Sequence, residues 1–138
     1  MRSVFFIGGI LPFLLTSCTY SLDEHFIFEC HSPDEMYNAQ SIAVQGGGAA
    51  GSQYINIYIT KADDEEFKTR VMVTSTSDKL ILEWKKGNNL MITVDDVRIY
   101  EFKNHFDESV YWEQTGQGKI EFQYRAFNDS EKVSQCIN

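Results

Sequence analysis

The sequence contains few of the residues from which catalytic and metal sites are built. Among its 138 residues there are three histidines and three cysteines. His25, His31 and His105 do not form a His-x-x-x-His pattern, the cysteines form no Cys-x-x-Cys pair, and there is no Gly-x-Ser-x-Gly nucleophile motif. Nucleophilic catalysis needs a base beside its nucleophile. We therefore predict no catalytic site, no metal site and no cofactor, and we expect the protein not to be an enzyme.

Positive charge is also scarce. The 12 Lys and Arg residues are outnumbered by 20 Asp and Glu residues, which gives a formal net charge of −8 at pH 7. Binding to phosphate backbones requires clustered Lys and Arg, so we expect no nucleic-acid partner. An acidic surface is repelled by anionic lipid headgroups as well. Any membrane contact is therefore expected to depend on an attached lipid.

Only the N-terminus carries a long hydrophobic run. Residues 4–15 are almost entirely apolar and follow the single positive charge of Arg2, but the run is too short to span a bilayer. This pattern is typical of a signal peptide. The run ends in Leu15-Thr16-Ser17-Cys18, which resembles the bacterial lipobox. We predict that residues 1–17 are a lipoprotein signal peptide and that Cys18 is lipidated.

The lipobox resemblance also predicts where the protein resides. It implies a diacylglyceryl thioether and an amide-linked acyl chain on Cys18, and more than one acyl chain makes a lasting anchor. Thr19 stands where an Asp would signal retention in the inner membrane, so we expect an outer-membrane lipoprotein held to the membrane through its lipid. Residues 18–24 would form a short polar tether, and residues 25–138 a single domain.

Two cysteines are left once Cys18 is assigned to lipid. Cys30 and Cys136 would lie in an oxidising compartment, where an even number of cysteines favours a disulfide. The alternative is that both are small buried hydrophobic residues. We predict that they form a disulfide, which would hold the otherwise polar C-terminal tail to the first strand.

The rest of the chain alternates apolar and polar residues with the period of β-strands, and turn residues separate the strands. The sequence predicts an all-β fold, an antiparallel meander of about eight strands forming a small sandwich or barrel. One of these strands is expected at residues 110–113. The side chains expected to face the core include Phe26, Phe28, Cys30, Phe67, Thr69, Val71, Val73, Trp84, Phe122 and Tyr124.

Several short elements occur in a fixed order along the chain. They are Ser32-Pro33-Asp34, Tyr37, Ala39, the Gly47 to Gly51 loop, Trp84, Leu90, Ile92, Arg98-Ile99-Tyr100 and Gly118 to Tyr124. In this order they resemble an uncharacterised family of small bacterial lipoproteins, which implies a lipid-anchored β domain and no known reaction. The lipobox, Phe28 two residues before Cys30, and Cys136 near the end carry a second resemblance, to envelope-anchored inhibitors of C-type lysozyme.

The densest charge in the chain is Asp63-Asp64-Glu65-Glu66, at the predicted tip of a hairpin. Such a tip can simply keep an edge hairpin soluble, or it can steer the domain towards a basic periplasmic protein such as a toxin or a muramidase. We expect a binding or inhibitor/immunity module with these four residues as the candidate binding residues. The alternatives are a structural envelope lipoprotein without a tight protein partner, or a lysozyme inhibitor.

Overall fold

The protein is a β-sandwich. The computed structural model describes residues 22–46, 51–106, 118–128 and 133–137, and within them all regular secondary structure is β-strand. The prediction of an all-β fold is confirmed, and of the two architectures predicted the structure is the sandwich. The described strands are β1 (Asp23–His31), β2 (Tyr37–Gln45), β3 (Gln53–Lys61), β4 (Asp64–Ser75), β5 (Lys79–Lys85), β6 (Asn89–Val94), β7 (Ile99–Phe102), β8 (Ile120–Tyr124) and β9 (Val133–Ile137).

The first sheet has the order β1-β2-β3-β4-β7 and is antiparallel throughout. Consecutive hairpins join β1 to β4, so the predicted meander is present here. The alternation in β3 gives the sheet a clean inner face, because Ile55, Ile57 and Ile59 are all fully buried. β1 begins at Asp23, two residues before the predicted start of the domain.

A β-bulge at Ile27 inverts the alternation in β1. Beyond the bulge, Phe28 and Cys30 face the core as predicted. Before it, Phe26 lies on the outer face and is 59% exposed. The prediction that Phe26 faces inwards is therefore wrong, because one extra residue in a strand moves the preceding side chains to the other face.

A second bulge, at Val71, does the same in β4. Val71 and Met72 are both fully buried, and Val73 is turned to the outer face. The prediction that Val73 faces the core is wrong for the same reason. Met72 takes its place, although strict alternation assigned Met72 to the solvent side.

The second sheet has the order β8-β6-β5-β9 and is mixed. β5 and β6 form an antiparallel hairpin, whereas β8 pairs with β6 and β9 pairs with β5 in parallel. The antiparallel meander thus ends at this hairpin. The strand predicted at residues 110–113 lies outside the described residues.

The core lies between the two sheets and contains an aromatic cluster. The ring of Tyr37 packs edge-on to Phe106 and stacks on Trp84, with centroids 4.8 and 6.5 Å apart. The Trp84 indole N–H donates to the Cys30 carbonyl oxygen at 2.8 Å, which satisfies a buried polar group on each side. Trp84 is thus in the core as predicted. Replacing it with alanine would lower the free energy of unfolding by about 3–5 kcal/mol.

The prediction that Phe122 and Tyr124 belong to the core is wrong for both residues, because both are exposed and neither is part of the core cluster. Both lie on β8, an edge strand of the second sheet. Phe122 packs edge-on against Phe102 with 4.8 Å between centroids, yet it remains 36% exposed, and Tyr124 is 58% exposed. At a sheet edge the opposing sheet covers the inner face only in part, so correct alternation does not ensure burial there.

The two ends of the sandwich are defined by the connections between strands that lie there. The connections after β1, β3 and β5, which are residues 32–36, 62–63 and 86–88, lie at one end, here called the tip end. β1 starts at the other end, here called the base end, where residues 76–78 and 95–98 also connect strands. No helix in the described part of the chain is long and apolar enough to cross a membrane.

Candidate binding site at the tip end

The four acidic residues lie together at the tip end. Asp63 is in the two-residue β3–β4 turn, and Asp64, Glu65 and Glu66 begin β4; all four are exposed. The Lys61 ammonium is 3.7 Å from an Asp63 carboxylate oxygen, and the Glu66 N–H donates to Asp64 Oδ1 at 3.1 Å. One exposed ion pair contributes little stability and neutralises one charge. The turn therefore presents net negative charge to solvent.

The β1–β2 loop supports this turn from one side. The Ala62 N–H donates to the Met36 carbonyl at 2.9 Å, which joins the acidic turn to the loop. The loop is itself closed by two backbone hydrogen bonds of 2.8 Å: the Ser32 N–H donates to the Tyr37 carbonyl, and the Glu35 N–H donates to the Ser32 carbonyl. Residues 33–36 form the turn between β1 and β2. Because Tyr37 belongs to the buried aromatic cluster, the loop is fixed to the core.

Asp34 links the loop to the β5–β6 turn. Its Oδ1 accepts bonds from the Ser32 hydroxyl at 2.6 Å and the Met36 N–H at 3.1 Å, and its Oδ2 accepts from the Asn88 amide at 2.7 Å. Glu35 and Asn88 both adopt positive φ, at 58° and 55°. A non-glycine residue in this region costs stability unless its surroundings hold it there.

The electrostatics of Asp34 agree with this arrangement. Burial raises the pKa of its carboxyl, but the hydrogen bonds from Ser32, Asn88 and the Met36 backbone outweigh that effect and lower the pKa below its ordinary value. Each of those donors is stronger towards the charged carboxylate than towards the neutral acid. The carboxylate therefore acts as an ionised connector between two loops at the tip end.

A groove of about 410 Å³ lies between these loops. Its lining includes the apolar surfaces of Pro33 and Met36 on one side and Lys85 and Lys86 on the other. Met36 is 44% exposed, which is unusual for a large apolar side chain in a fixed loop. The tip end thus combines an acidic turn with an adjacent groove that an apolar side chain of a partner could enter.

Neither Cys30 nor Cys136 lines this groove. Cys30 in β1 and Cys136 in β9 form the predicted disulfide, with 5.1 Å between their Cα atoms. The bond joins an edge strand of one sheet to an edge strand of the other. Cys18, the predicted lipidation site, and residues 1–17, the predicted signal peptide, lie outside the described residues.

The three histidines make local contacts and do not converge. His25 lies 3.6 Å from Asp23, and His31 lies 3.3 Å from Glu29. His105 contacts the Asn104 side chain at 2.8 Å. Across residues 22–46, 51–106, 118–128 and 133–137, no group of three or more His, Cys, Asp or Glu side chains is arranged to hold a metal ion.

The acidic turn is visible in the sequence, whereas the residues that support it are not. Asp34 and Asn88 are 54 positions apart, and only the packing of the two hairpins brings them together. The available signal was local: Ser32-Pro33-Asp34 is typical of a turn in which side chains accept backbone N–H groups. Comparisons with protein-family models, with curated proteins and with solved structures find no match to this chain.

Proposed function

We propose that the protein is a lipid-anchored envelope protein whose domain binds a cationic protein through the tip end, as an inhibitor or immunity protein does. The observation that carries this proposal is the position of the acidic turn. It lies at the opposite end of the sandwich from the start of β1, where the segment that contains Cys18 joins the domain. A lipid on Cys18 would therefore hold the base end near the membrane.

The dimensions of the chain support this orientation. Leu22, the first described residue, is four positions after Cys18, so the tether reaches at most about 14 Å. β1 has nine residues and rises about 3.3 Å per residue, which places the tip end roughly 30 Å beyond the base end. A domain attached in this way would present its acidic turn to the periplasm or to the exterior.

Charge gives the class of partner. The turn carries four consecutive exposed carboxylates with one lysine paired to them, on a chain whose formal net charge is −8. Such a projection attracts a cationic surface over about one Debye length, about 8 Å at physiological salt, and raises the association rate. Secreted toxins and muramidases with basic surfaces fit this requirement, and binding at their active clefts would neutralise them.

The test is capture of partners by the lipid-free mature chain at low and high salt. The baits are the wild-type chain, a variant with the acidic turn neutralised, and a control that loses equal charge at the base end. The samples are a purified C-type lysozyme and an envelope extract. The turn substitutions are Asp63→Asn, Asp64→Asn, Glu65→Gln and Glu66→Gln. The control substitutions are Asp23→Asn, Glu24→Gln, Asp78→Asn and Asp96→Asn.

We expect the wild type and the control to capture the same basic protein at low salt, and the turn variant to capture much less of it. A partner retained equally by all three baits would exclude the tip end as the binding surface. Absence of any captured protein would favour the alternative, a structural envelope lipoprotein without a tight protein partner.

A further inference from the structure

A second groove lies on the outer face of the first sheet, away from the tip end. It has a volume of about 400 Å³ and is here called the outer groove. Its lining comes from β2, β3, β4 and β7 together with Leu22, so it runs across the sheet. The outer face of an antiparallel sheet is usually polar. Here Ile42 and Val44 point outwards and are still largely buried.

Two tyrosines form an aromatic wall of this groove. Tyr54 in β3 and Tyr100 in the edge strand β7 meet edge to face, with 5.3 Å between ring centroids. Tyr100 is nevertheless 52% exposed. Its contact with Tyr54 orients the ring, and the exposed part remains accessible to an apolar surface of a ligand.

Asn56 supplies an amide at the centre of the sheet. It lines the outer groove, is only 8% exposed, and pairs across the sheet with Ile42 and Val73. No hydrogen bond joins its side-chain amide to another residue within the described part of the chain. Asn56 is not among the described side chains whose polar atoms are fully buried without a partner, so its amide reaches the surface of the groove. It therefore offers one donor group and one acceptor to a ligand in the groove.

The charge of Arg70, which lines the groove, is balanced by its neighbour Glu101. Arg70 donates to a Glu101 carboxylate oxygen at 2.7 Å, and both side chains are partly exposed. This hydrogen bond is the main cause that raises the pKa of the Arg70 guanidinium. Because the pair is neutral overall, the outer groove favours a neutral ligand that carries both donors and acceptors over a free ion.

We propose that the outer groove binds an N-acetylated amino sugar of a glycan chain. The apolar C–H face of the sugar ring stacks on Tyr100, and the N–H and carbonyl of the acetamido group pair with the amide of Asn56. The acetamido methyl contacts Val44 and Val73, and the ring hydroxyls reach the Arg70–Glu101 pair. This site is independent of the tip end, and its chemistry does not require lipidation of Cys18.

The test is titration of the lipid-free mature chain, which contains every described strand, with chitotetraose and cellotetraose by NMR or calorimetry. The two sugars share their β-1,4-linked ring and differ in the acetamido group. We expect chitotetraose to bind at least tenfold more tightly than cellotetraose. Tyr100→Ala should weaken chitotetraose binding at least fivefold, and Asn56→Ala should remove the preference over cellotetraose. Thermal unfolding monitors whether each variant is folded.

Tyr124→Ala is the matched control, because Tyr124 is as exposed as Tyr100 but lies on β8 in the other sheet. It should leave sugar binding unchanged. The proposal is overturned if chitotetraose at millimolar concentration does not bind, if both sugars bind equally, or if Tyr124→Ala weakens binding as much as Tyr100→Ala. Binding of an uncharged extended peptide in the groove without sugar binding also overturns it. None of these outcomes bears on the tip end, which is tested by protein capture.

Discussion

Two buried serines of the first sheet and its loop differ in what their hydroxyls contact. The Ser32 hydroxyl accepts the Tyr37 N–H at 3.0 Å and donates to Asp34 at 2.6 Å. The Ser41 hydroxyl is also fully buried, yet within the described residues it has no hydrogen-bond partner. A buried polar group without a partner loses its hydrogen bonds to water and gains none in the protein, which destabilises the fold. A paired group stabilises it.

Ser41→Ala should therefore raise the free energy of unfolding by about 1 kcal/mol, and Ser32→Ala should lower it by about 1–2 kcal/mol. The two substitutions delete the same atom from equally buried positions, so each controls for the other. Urea denaturation at neutral pH measures both. Destabilisation by Ser41→Ala of the same size as that by Ser32→Ala would contradict the hydrogen-bonding difference.

Among single residues, composition and spacing predicted those whose role depends on their own side chain, such as the cysteines and the acidic residues. The pairing of Cys30 with Cys136 followed from compartment and number, and the acidic turn was visible as consecutive letters. The partners of Asp34 were not visible, because Asn88 approaches it only when two hairpins pack. The alternation of β3 places Asn56 on the outer face, but its position beside Tyr100 depends on strand order.

Among the elements, strands with uninterrupted alternation were predictable and those with an inserted residue were not. β3, β5 and β6 have the expected inner faces. The bulges at Ile27 and Val71 cannot be recognised from the order of apolar and polar residues. Each inserts one unpaired residue, and the alternation continues on both sides of it with the faces exchanged. β9 was missed because its five residues do not alternate between apolar and polar and follow a polar stretch of the chain. Its parallel pairing with β5 also joins distant parts of the chain.

The disulfide compensates for the weak intrinsic tendency of β9 to form a strand. It closes a sequence separation of 106 residues, and β9 otherwise lies at the edge of its sheet. Replacing Cys30 and Cys136 together with Ala should lower the free energy of unfolding by about 2–4 kcal/mol, because the unfolded chain gains entropy. Alanine is preferred at Cys30 because the site is fully buried and a serine hydroxyl would need a partner.

Urea denaturation and limited proteolysis measure the effect. We expect a lower midpoint and early cleavage before Val133, with the rest of the sandwich retained. Two free thiols in non-reduced protein prepared from the periplasm, or an unchanged midpoint, would contradict this role of the bond.

In the molecule as a whole, the proposed function depends on the relative position of its two ends more than on any single strand. The first strand runs from the base end to the loop beside the acidic turn. The start of the described domain and the acidic turn therefore lie at opposite ends of the sandwich. Sequence predicted an anchor and an acidic hairpin as separate features. Their opposition depends on strand direction and pairing, which alternation alone does not specify.

Lipidation is tested directly by Cys18→Ser. We expect uncleaved precursor that no longer fractionates with the outer membrane, because processing of a lipoprotein requires the modified cysteine. Incorporation of labelled fatty acid and separation of envelope fractions measure it, and Thr19→Ser serves as the control that leaves the cysteine in place. Normal processing and normal fractionation of Cys18→Ser would show that the anchor lies elsewhere.

Binding of a cationic protein at the tip end is tested by the association rate with the captured partner as salt is varied. The turn variant and the equal-charge control at the base end are compared with the wild type. We predict that the turn variant associates at least tenfold more slowly at low salt and responds weakly to salt, while the control keeps most of the rate and the salt dependence. Stability should change little in either variant, because all eight side chains are exposed. Equal rates and equal salt dependence for the turn variant and the wild type would contradict binding of a cationic protein at the tip end.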